Sequence, residues 1–263
     1  MQPSGRKPIK RLFWDIEVSP NIVLSWRIGH RLNISAENLL HERAIICIGY
    51  KREGQKRAHT LAWDAHQNDK AMLRSFLKEA DQADELVAHW GDKFDLPWLR
   101  TRCIFHGLPP LPIYKTVDTC KIAKSLFLFN SNRLDYIAKF LGLGGKIHTE
   151  YDLWKAVVLR REPAALQKMR AYCQQDVELL EQVYEKLSAY AKPKTHAGVL
   201  GGLDKWTCAH CGSNHVVADG TRVTAMGTKQ HRMKCRECGR YFTISHRAYL
   251  DAQEEAAKER DKN

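Results

Sequence analysis

The chain has 263 residues, of which 44% are hydrophobic, and its formal net charge is +12. This length accommodates one catalytic domain and a small additional module, and the apolar content is sufficient for a packed core. No apolar run approaches the roughly 20 residues that span a bilayer, and the basic segment from Met1 to Lys10 does not resemble a secretory signal. We therefore expect a soluble, cytoplasmic protein. Its excess of positive charge indicates a polyanionic partner such as nucleic acid.

Strands are predicted first along the chain and helices afterwards. Apolar segments rich in β-branched residues predict strands over Phe13 to Val18, Ile22 to Ile28, Ala44 to Tyr50, Arg57 to Trp63 and Glu85 to Trp90. Apolar residues at helical spacing predict a first helix that opens at Asn68. Further helices are predicted over Leu96 to His106, Asp118 to Phe127, Arg133 to Leu141 and Pro163 to Tyr190. A sheet with helices laid over it predicts an α/β or α+β layer architecture.

The end of the long last helix marks a predicted domain boundary. Pro193 cannot continue a helix, and the glycines between 198 and 202 favour a loose segment. The unit that follows is too short to fold on a hydrophobic core alone. After it comes a charged tail, which we expect to be a frayed helix or disordered. The predicted division is a first domain over 1–191, a linker over 192–205, a small unit over 206–245 and the tail over 246–263.

The first predicted strand carries two acidic residues, Asp15 and Glu17, in an otherwise apolar run. Residues i and i+2 of a strand share a face, so both carboxylates point the same way. A buried carboxylate needs a proton or a cation, and the run itself contains no Lys or Arg. A divalent metal is one solution. An edge strand with a solvated acidic face is the other.

Two further acidic positions have settings that suit a site at a sheet edge. Asp95 follows a predicted strand and begins a predicted helix, and Asp176 lies on the long helix with Tyr172 on the same face. Each has a structural alternative. Asp95 can serve as a helix cap, and Tyr172 with Asp176 can be a packed ring beside a solvated acid.

Taken in order, these motifs resemble those of the DEDD exonuclease superfamily, in its tyrosine-bearing branch. They are Asp15-x-Glu17, then Phe94-Asp95-Leu96-Pro97, then Tyr172-x-x-x-Asp176. The resemblance covers about residues 9–190 and is nearest to the proofreading domains of family B DNA polymerases and their free-standing relatives. It implies a ribonuclease-H-like fold, a mixed central sheet flanked by helices. It also implies an enzyme that hydrolyses phosphodiester bonds from a 3′ end, in a bacterial or phage-infected cell.

The residue types agree with such chemistry. Four carboxylates without a basic ligand suit hard cations such as Mg²⁺ or Mn²⁺. Two such ions about 4 Å apart activate a water and stabilise the leaving oxygen. In the family pattern Asp15 bridges both metals, Glu17 and Asp176 hold the ion that carries the water, and Asp95 reaches the other ion through water. The resemblance also implies that Tyr172 orients the attacking water. Its unperturbed pKa near 10 makes it a poor general base at neutral pH, so metal activation is expected to carry that step.

The expected substrate is DNA, at single-stranded or frayed 3′ ends, and the expected products are 5′-mononucleotides. Trimming of RNA 3′ ends is the alternative within the same chemistry, since the sequence shows no group that reads a 2′-hydroxyl. A third hypothesis is an inert nuclease fold that only binds nucleic acid. Partners in replication, repair or recombination are compatible with each.

One residue departs from the family pattern, because relatives often have asparagine where this chain has Trp90. A tryptophan there can stack on a base, but burial in the core is the interpretation that the sequence favours. Segments 117–119 and 134–142 also resemble the family's intermediate helices. Asp118 and Asp135 within them fit the first turns of helices, where negative charge is favourable, so we leave both out of the site.

The small unit carries two Cys-x-x-Cys pairs, Cys208 with Cys211 and Cys235 with Cys238, separated by 23 residues. Two such pairs predict one tetrahedral structural zinc site, and a redox dithiol is the alternative. His210 and His215 can compete as ligands, although four thiolates already complete the shell. The other four cysteines are scattered singly and are expected to pack in the core.

The order of residues around these cysteines resembles the zinc ribbons of transposases and other DNA-associated proteins, over about 40 residues. From 192 to 247 there are ten Lys or Arg against three acidic residues. Basic side chains beside aromatic ones can contact phosphates and stack on bases, which suggests a nucleic-acid surface or a recruitment surface for proteins. A solvated basic face is the alternative. The candidate contacts are Trp90, Arg232, Lys234, Arg236, Arg240 and Tyr241, with Trp206 and Phe242 as further aromatics.

Overall fold

The computed structural model describes residues 8–29, 31–145 and 150–260. The larger compact unit is Lys10–Leu187, and the smaller one contains the chain from Ser188 onward. The predicted division at residue 191 stays a prediction. No helix within the described ranges is long and apolar enough to cross a membrane.

The larger unit is built on a five-stranded mixed sheet. Its strands in chain order are β1 (Arg11–Val18), β2 (Ile22–Val23), β3 (Leu39–His41), β4 (Ile45–Arg52), β5 (His59–Ala62), β6 (Glu85–Ala88) and β7 (Thr116–Asp118). The main sheet has the order β5-β4-β1-β6-β7, while β2 and β3 form a separate pair. Strand β1 is antiparallel to β4 and parallel to β6, which is parallel to β7. The carboxyl ends of β1, β6 and β7 therefore meet at one edge of the sheet.

Helices cover both faces of this sheet, because the central strand β1 is apolar on both sides. The helices are α1 (Lys70–Ala80), α2 (Asp95–Phe105), α3 (Thr119–Leu126), α4 (Leu134–Phe140), α5 (Asp152–Val158) and α6 (Pro163–Ser188). Trp14 stacks on Phe76 of α1, with ring centroids 5.0 Å apart. Its neighbour Phe13 points the other way and meets Tyr184 of α6 at 5.4 Å. The α/β layer prediction is confirmed.

Most predicted elements are present, with a few differences in extent. The strand predicted over Ile22 to Ile28 ends at Val23, and the strand predicted to reach Trp90 ends at Ala88. Strands β3 and β7 and helix α5 are additional to the predicted elements, since three or seven residues are too few for a clear periodic pattern.

The smaller unit contains a three-stranded antiparallel sheet with the order β10-β9-β8. Its elements are α7 (Ala197–Leu200), β8 (Val216–Val223), β9 (Lys229–Cys235), β10 (Tyr241–Ser245) and α8 (His246–Arg260). Helix α7 lies in the segment predicted as a linker. Helix α8 occupies the predicted tail, of which 261–263 lie outside the described residues.

Candidate functional site

Strand β1 and helix α6 bring three carboxylates together. Asp15 and Glu17 project from the same face of β1, and Asp176 projects from α6, which packs on that face. One oxygen from each of the three lies within 4.8 Å of the others. Asp176 is buried, with 1% of its surface exposed. We call Asp15, Glu17 and Asp176 the carboxylate cluster.

The close approach of α6 to the sheet depends on Gly49. This residue is the cross-strand partner of Asp15 on β4. A Cβ atom at position 49 would lie 2.9 Å from the carbonyl oxygen and the Sγ of Cys173 and from Val177. Any side chain there would therefore push the helix away from the strand that carries Asp15.

Asp95 lies beside the cluster but not within the set of mutually close oxygens. It is the first residue of α2, and its Oδ1 accepts a hydrogen bond of 3.1 Å from the backbone N–H of Ile16. Burial, and then the nearby charge of Asp15, raise the pKa of Asp95 well above its usual range. A carboxyl group in this position takes up a proton unless a cation is present.

The donor set fits a hard divalent cation. The cluster and Asp95 offer only carboxylate oxygens, which are the ligands that Mg²⁺ and Mn²⁺ prefer. Burial and then the charge of Asp15 raise the pKa of Asp95, and a cation bound beside it would lower that pKa again. Tyr172 is half-buried and lies one helical turn before Asp176, so its ring is on the same side of α6 as the cluster.

Trp90 is not a core residue. The prediction that its side chain is buried in the core is therefore wrong. Its side chain is 48% exposed and stacks on Phe94, with centroids 5.9 Å apart and planes at 10°. The backbone has φ of +67°, a left-handed conformation that is strained for tryptophan. The N–H of Trp90 donates to Oδ1 of Asp118 at 2.9 Å, and this bond helps to fix the turn.

Asp118 supports the site although its local sequence indicates only a helix start. It is buried and caps α3, where its Oδ1 accepts hydrogen bonds from the N–H groups of Cys120 and Lys121. The cap agrees with the predicted location. Its additional bond to Trp90, 28 residues away, has no signal in the local sequence.

A cavity of about 540 Å³ opens beside the cluster. Its lining residues are Asp15, His89, Trp90, Cys120, Lys124, Asn132, Arg133, Leu134 and Asp135. His89 is held by Thr119 and by the carbonyl oxygen of Asn132, each at 2.8 Å. The cations Lys124 and Arg133 are absent from the predicted site residues, because isolated surface cations on helices carry no motif.

The smaller unit holds the four cysteines of both pairs in one group, with their sulfur atoms within 4.8 Å of one another. The Sγ atoms of Cys208 and Cys238 are 3.7 Å apart, and those of Cys211 and Cys235 are 3.6 Å apart. Burial raises the pKa of Cys211 to about 11, so this thiol keeps its proton at neutral pH unless a cation stabilises the thiolate. Four thiolates in this arrangement suit zinc.

Neither nearby histidine belongs to this group of four. Nε2 of His210 lies 3.3 Å from the carbonyl oxygen of Tyr241, and His215 has a largely exposed side chain near Glu237.

The predicted nucleic-acid contacts of the smaller unit, which we call the ribbon, differ in their exposure to solvent. Lys234 and Tyr241 are cross-strand partners on the exposed face, where Lys234 Nζ lies 5.5 Å from the ring centroid and the Arg232 guanidinium 5.9 Å. Arg236 is exposed and Arg240 half-buried. The expectation that Phe242 is available for stacking is wrong, because Phe242 points into the ribbon core. Trp206 packs against that same core.

Comparisons with known proteins agree with this fold. The family model of the RNase_H superfamily matches residues 32–188. The structure is similar to that of the family B DNA polymerase from the hyperthermophilic archaeon Pyrobaculum calidifontis, with a TM-score of 0.53 and 18% identity. That match covers 70% of this chain and 25% of the polymerase chain, so the likeness shows the fold alone. No curated protein sequence matches the chain. The predicted ribonuclease-H-like fold is thus confirmed, and the chain belongs to the RNase_H superfamily.

Proposed function

We propose that this protein is a metal-dependent 3′–5′ exonuclease that hydrolyses the phosphodiester bonds of DNA, at single-stranded or frayed 3′ ends, and releases 5′-mononucleotides. The observation that carries the proposal is the carboxylate cluster with Asp95 buried next to it. The motif order that resembles the DEDD exonucleases and the RNase_H superfamily match support the same chemistry.

Asp15, Glu17, Asp176 and Asp95 would hold the divalent ions. When bound, two such ions would activate the attacking water and stabilise the leaving 3′ oxygen. The chain's own residues contribute by holding the reacting groups in position. The bond from Ile16 to Asp95 fixes α2 against β1, and Tyr172, on the side of α6 that carries Asp176, would orient the attacking water.

The cavity at Asp15 supports a terminal nucleotide as the group removed. Its volume of about 540 Å³ lies in the range of sites for single small ligands. Trp90 offers an exposed ring face for the base, and Lys124 and Arg133 offer positive charge for phosphate. A pocket of this size beside the cluster favours removal of one nucleotide at a time.

The ribbon would bind one Zn²⁺ through its four cysteines. Its exposed face, with Arg232, Lys234 and Tyr241, has the cations and the ring that single-stranded nucleic acid requires. We propose that this face holds the substrate, and that recruitment by a replication, repair or recombination protein is its alternative use.

Digestion of 3′-labelled DNA and RNA of one sequence, with and without Mg²⁺ or Mn²⁺, tests the proposal. We expect mononucleotide release from single-stranded DNA that requires the metal and is lost in Asp15→Ala. The matched control is Asp152→Ala, which removes an exposed carboxylate of α5 and should leave the rate unchanged. Faster release from RNA would assign the site to RNA trimming. Tight binding without product would identify an inert nucleic-acid-binding protein.

A further inference from the structure

The chain makes an excursion between β1 and β4 that we call the arm, residues 19–44. It leaves β1 directly after Val18, and Glu17 of the carboxylate cluster is the residue before. Its base is the β2–β3 pair, which is separate from the main sheet. A backbone bond of 2.9 Å from Leu24 to Asn38 extends this base. The arm therefore starts at the edge of the sheet where the cluster lies.

The tip of the arm, residues 24–34, of which 24–29 and 31–34 are described, exposes large apolar side chains among the described residues. Trp26 is 101% exposed and Ile28 is 98% exposed. A tryptophan ring has roughly 150–250 Å² to bury, and neighbouring exposed apolar side chains rimmed by polar ones are typical of binding sites. The tip also contains Arg27 and Arg31 and no acidic residue. The tip therefore presents an aromatic ring together with two positively charged side chains.

This combination matches single-stranded nucleic acid better than an apolar protein surface. Bases of any sequence stack on an aromatic ring, and the phosphates between them need positive charge. The arm also begins at the edge of the sheet where the carboxylate cluster lies, which is where such a strand would be cleaved. Asp15 lines the cavity that would take the 3′ end, and the arm begins only four residues later, directly after the carboxyl end of β1.

We propose that the tip of the arm binds the single strand on the 5′ side of the nucleotide being removed, with Trp26 stacked on a base and Arg27 and Arg31 on phosphates. The inference rests on the proposed exonuclease function, since that function supplies the strand. The arm then confers affinity for longer strands without sequence preference, and it does not contact the scissile bond.

The test compares Trp26→Ala with the wild type on a dinucleotide and on a strand of about 20 nucleotides, longer than a typical single-strand site. We expect KM on the long strand to rise at least about fivefold, the lower end of what one stacked base contributes. On the dinucleotide KM should not change. Trp26→Phe should restore most of the affinity, because a smaller ring still stacks.

The matched control is Ile113→Ala. Ile113 is 97% exposed, like Ile28, but it precedes β7 and so lies at the opposite edge of the sheet from the cluster. Ile113→Ala should behave as the wild type on both substrates. Replacing both Arg27 and Arg31 with alanine should lower the slope of log Kd against log salt by about 0.7 for each phosphate that is no longer neutralised.

The outcomes separate this inference from the proposed function. If the wild type releases nucleotides and Asp15→Ala does not, while Trp26→Ala keeps the wild-type KM on the long strand, the arm proposal is overturned and the function stands. If the wild type releases no nucleotide, the function fails, and anisotropy of a labelled strand decides the arm separately. Equal strand binding by wild type and Trp26→Ala, with altered self-association in the variant, would assign the tip to a protein contact and overturn the proposal.

Discussion

The carboxylate of Asp95 accepts a hydrogen bond from the backbone of Ile16, the residue that stands between Asp15 and Glu17. This bond of 3.1 Å joins two segments that are 79 positions apart in the chain. It holds the start of α2 against β1 and keeps a fourth carboxylate next to the cluster. The same side chain is thus a structural acceptor and a candidate metal ligand, and two substitutions separate these roles.

Asp95→Asn should abolish catalysis while it preserves the fold. The amide oxygen can still accept the bond from Ile16, but the negative charge beside Asp15 is removed. We expect nucleotide release with Mg²⁺ to fall by about 100-fold or more, as for strong metal-site defects. Without metal the melting temperature should stay the same or rise, because the amide is neutral when buried next to Asp15 without having to take up a proton. Asp95→Ala should lower it. Full activity of Asp95→Asn would contradict the assigned role.

Divalent metal should stabilise the larger unit. Binding of Mn²⁺ to the native state alone adds about 2.7 kcal/mol at a concentration 100 times Kd. Hydrogen exchange of amides in β1 and β4 should therefore slow on addition of Mn²⁺ and recover with a chelator. Asp15→Ala should show no such change. Exchange that slows equally in the variant would place the ion elsewhere.

Trp90→Gly should separate the ring of Trp90 from the turn that presents it. Glycine adopts a φ of +67° without the strain of about 1–3 kcal/mol that tryptophan bears. The variant should therefore be at least as stable as the wild type, while KM for single-stranded DNA rises about tenfold from loss of a stacking surface. Thermal melts and steady-state kinetics measure the two effects. A lower melting temperature with unchanged KM would make Trp90 a packing residue.

A buried ion pair should make the larger unit sensitive to acid. Asp69 is fully buried and accepts hydrogen bonds from Arg102, His106 and the N–H of Ile45. Burial alone raises the pKa of Asp69, but these bonds outweigh it and hold the net pKa below its usual range. A lowered folded pKa means that this stabilisation is present above the unfolded pKa near 3.9 and is lost as pH falls through the folded value.

Asp69→Asn should therefore cost about 3–5 kcal/mol at neutral pH, because Arg102 is left buried without its counter-charge. The difference between wild type and variant should narrow below about pH 4. Urea unfolding at several pH values measures this difference. Leu77→Ala, in helix α1, which begins directly after Asp69, is a control whose cost should not vary with pH.

The sequence predicts what local periodicity encodes. The alternation in β1 places Asp15 and Glu17 on one face, and the apolar stripe of α6 predicts the helix that carries Asp176. The prediction from sequence fails where the location of a side chain depends on a contact with a residue distant in the chain or on the backbone conformation. The apolar neighbours of Trp90 favour burial, but a left-handed turn held by Asp118 directs its ring outward.

Whether an aromatic side chain in or near a short strand is buried is equally hard to predict from the sequence. The segment from Ile22 to Ile28 has the composition of a strand, yet only Ile22 and Val23 pair, and Trp26 beyond them is fully exposed. The basic neighbours of Phe242 favour a surface location for its ring. Its position in the alternation of β10 places it inside instead, against Met233 and its neighbours.

Gly49 has a consequence for which ion the site accepts. The gap between helix and sheet at this position sets how far Asp176 stands from Asp15, and no side chain fills it. Mg²⁺ requires ligand distances near 2.1 Å, whereas Ca²⁺ accepts about 2.3–2.6 Å. Gly49→Ala should widen the cluster by displacing α6 and shift ion preference from Mg²⁺ towards larger cations. On the proposed function, we therefore expect ion selectivity to depend in part on a residue that offers no ligand atom.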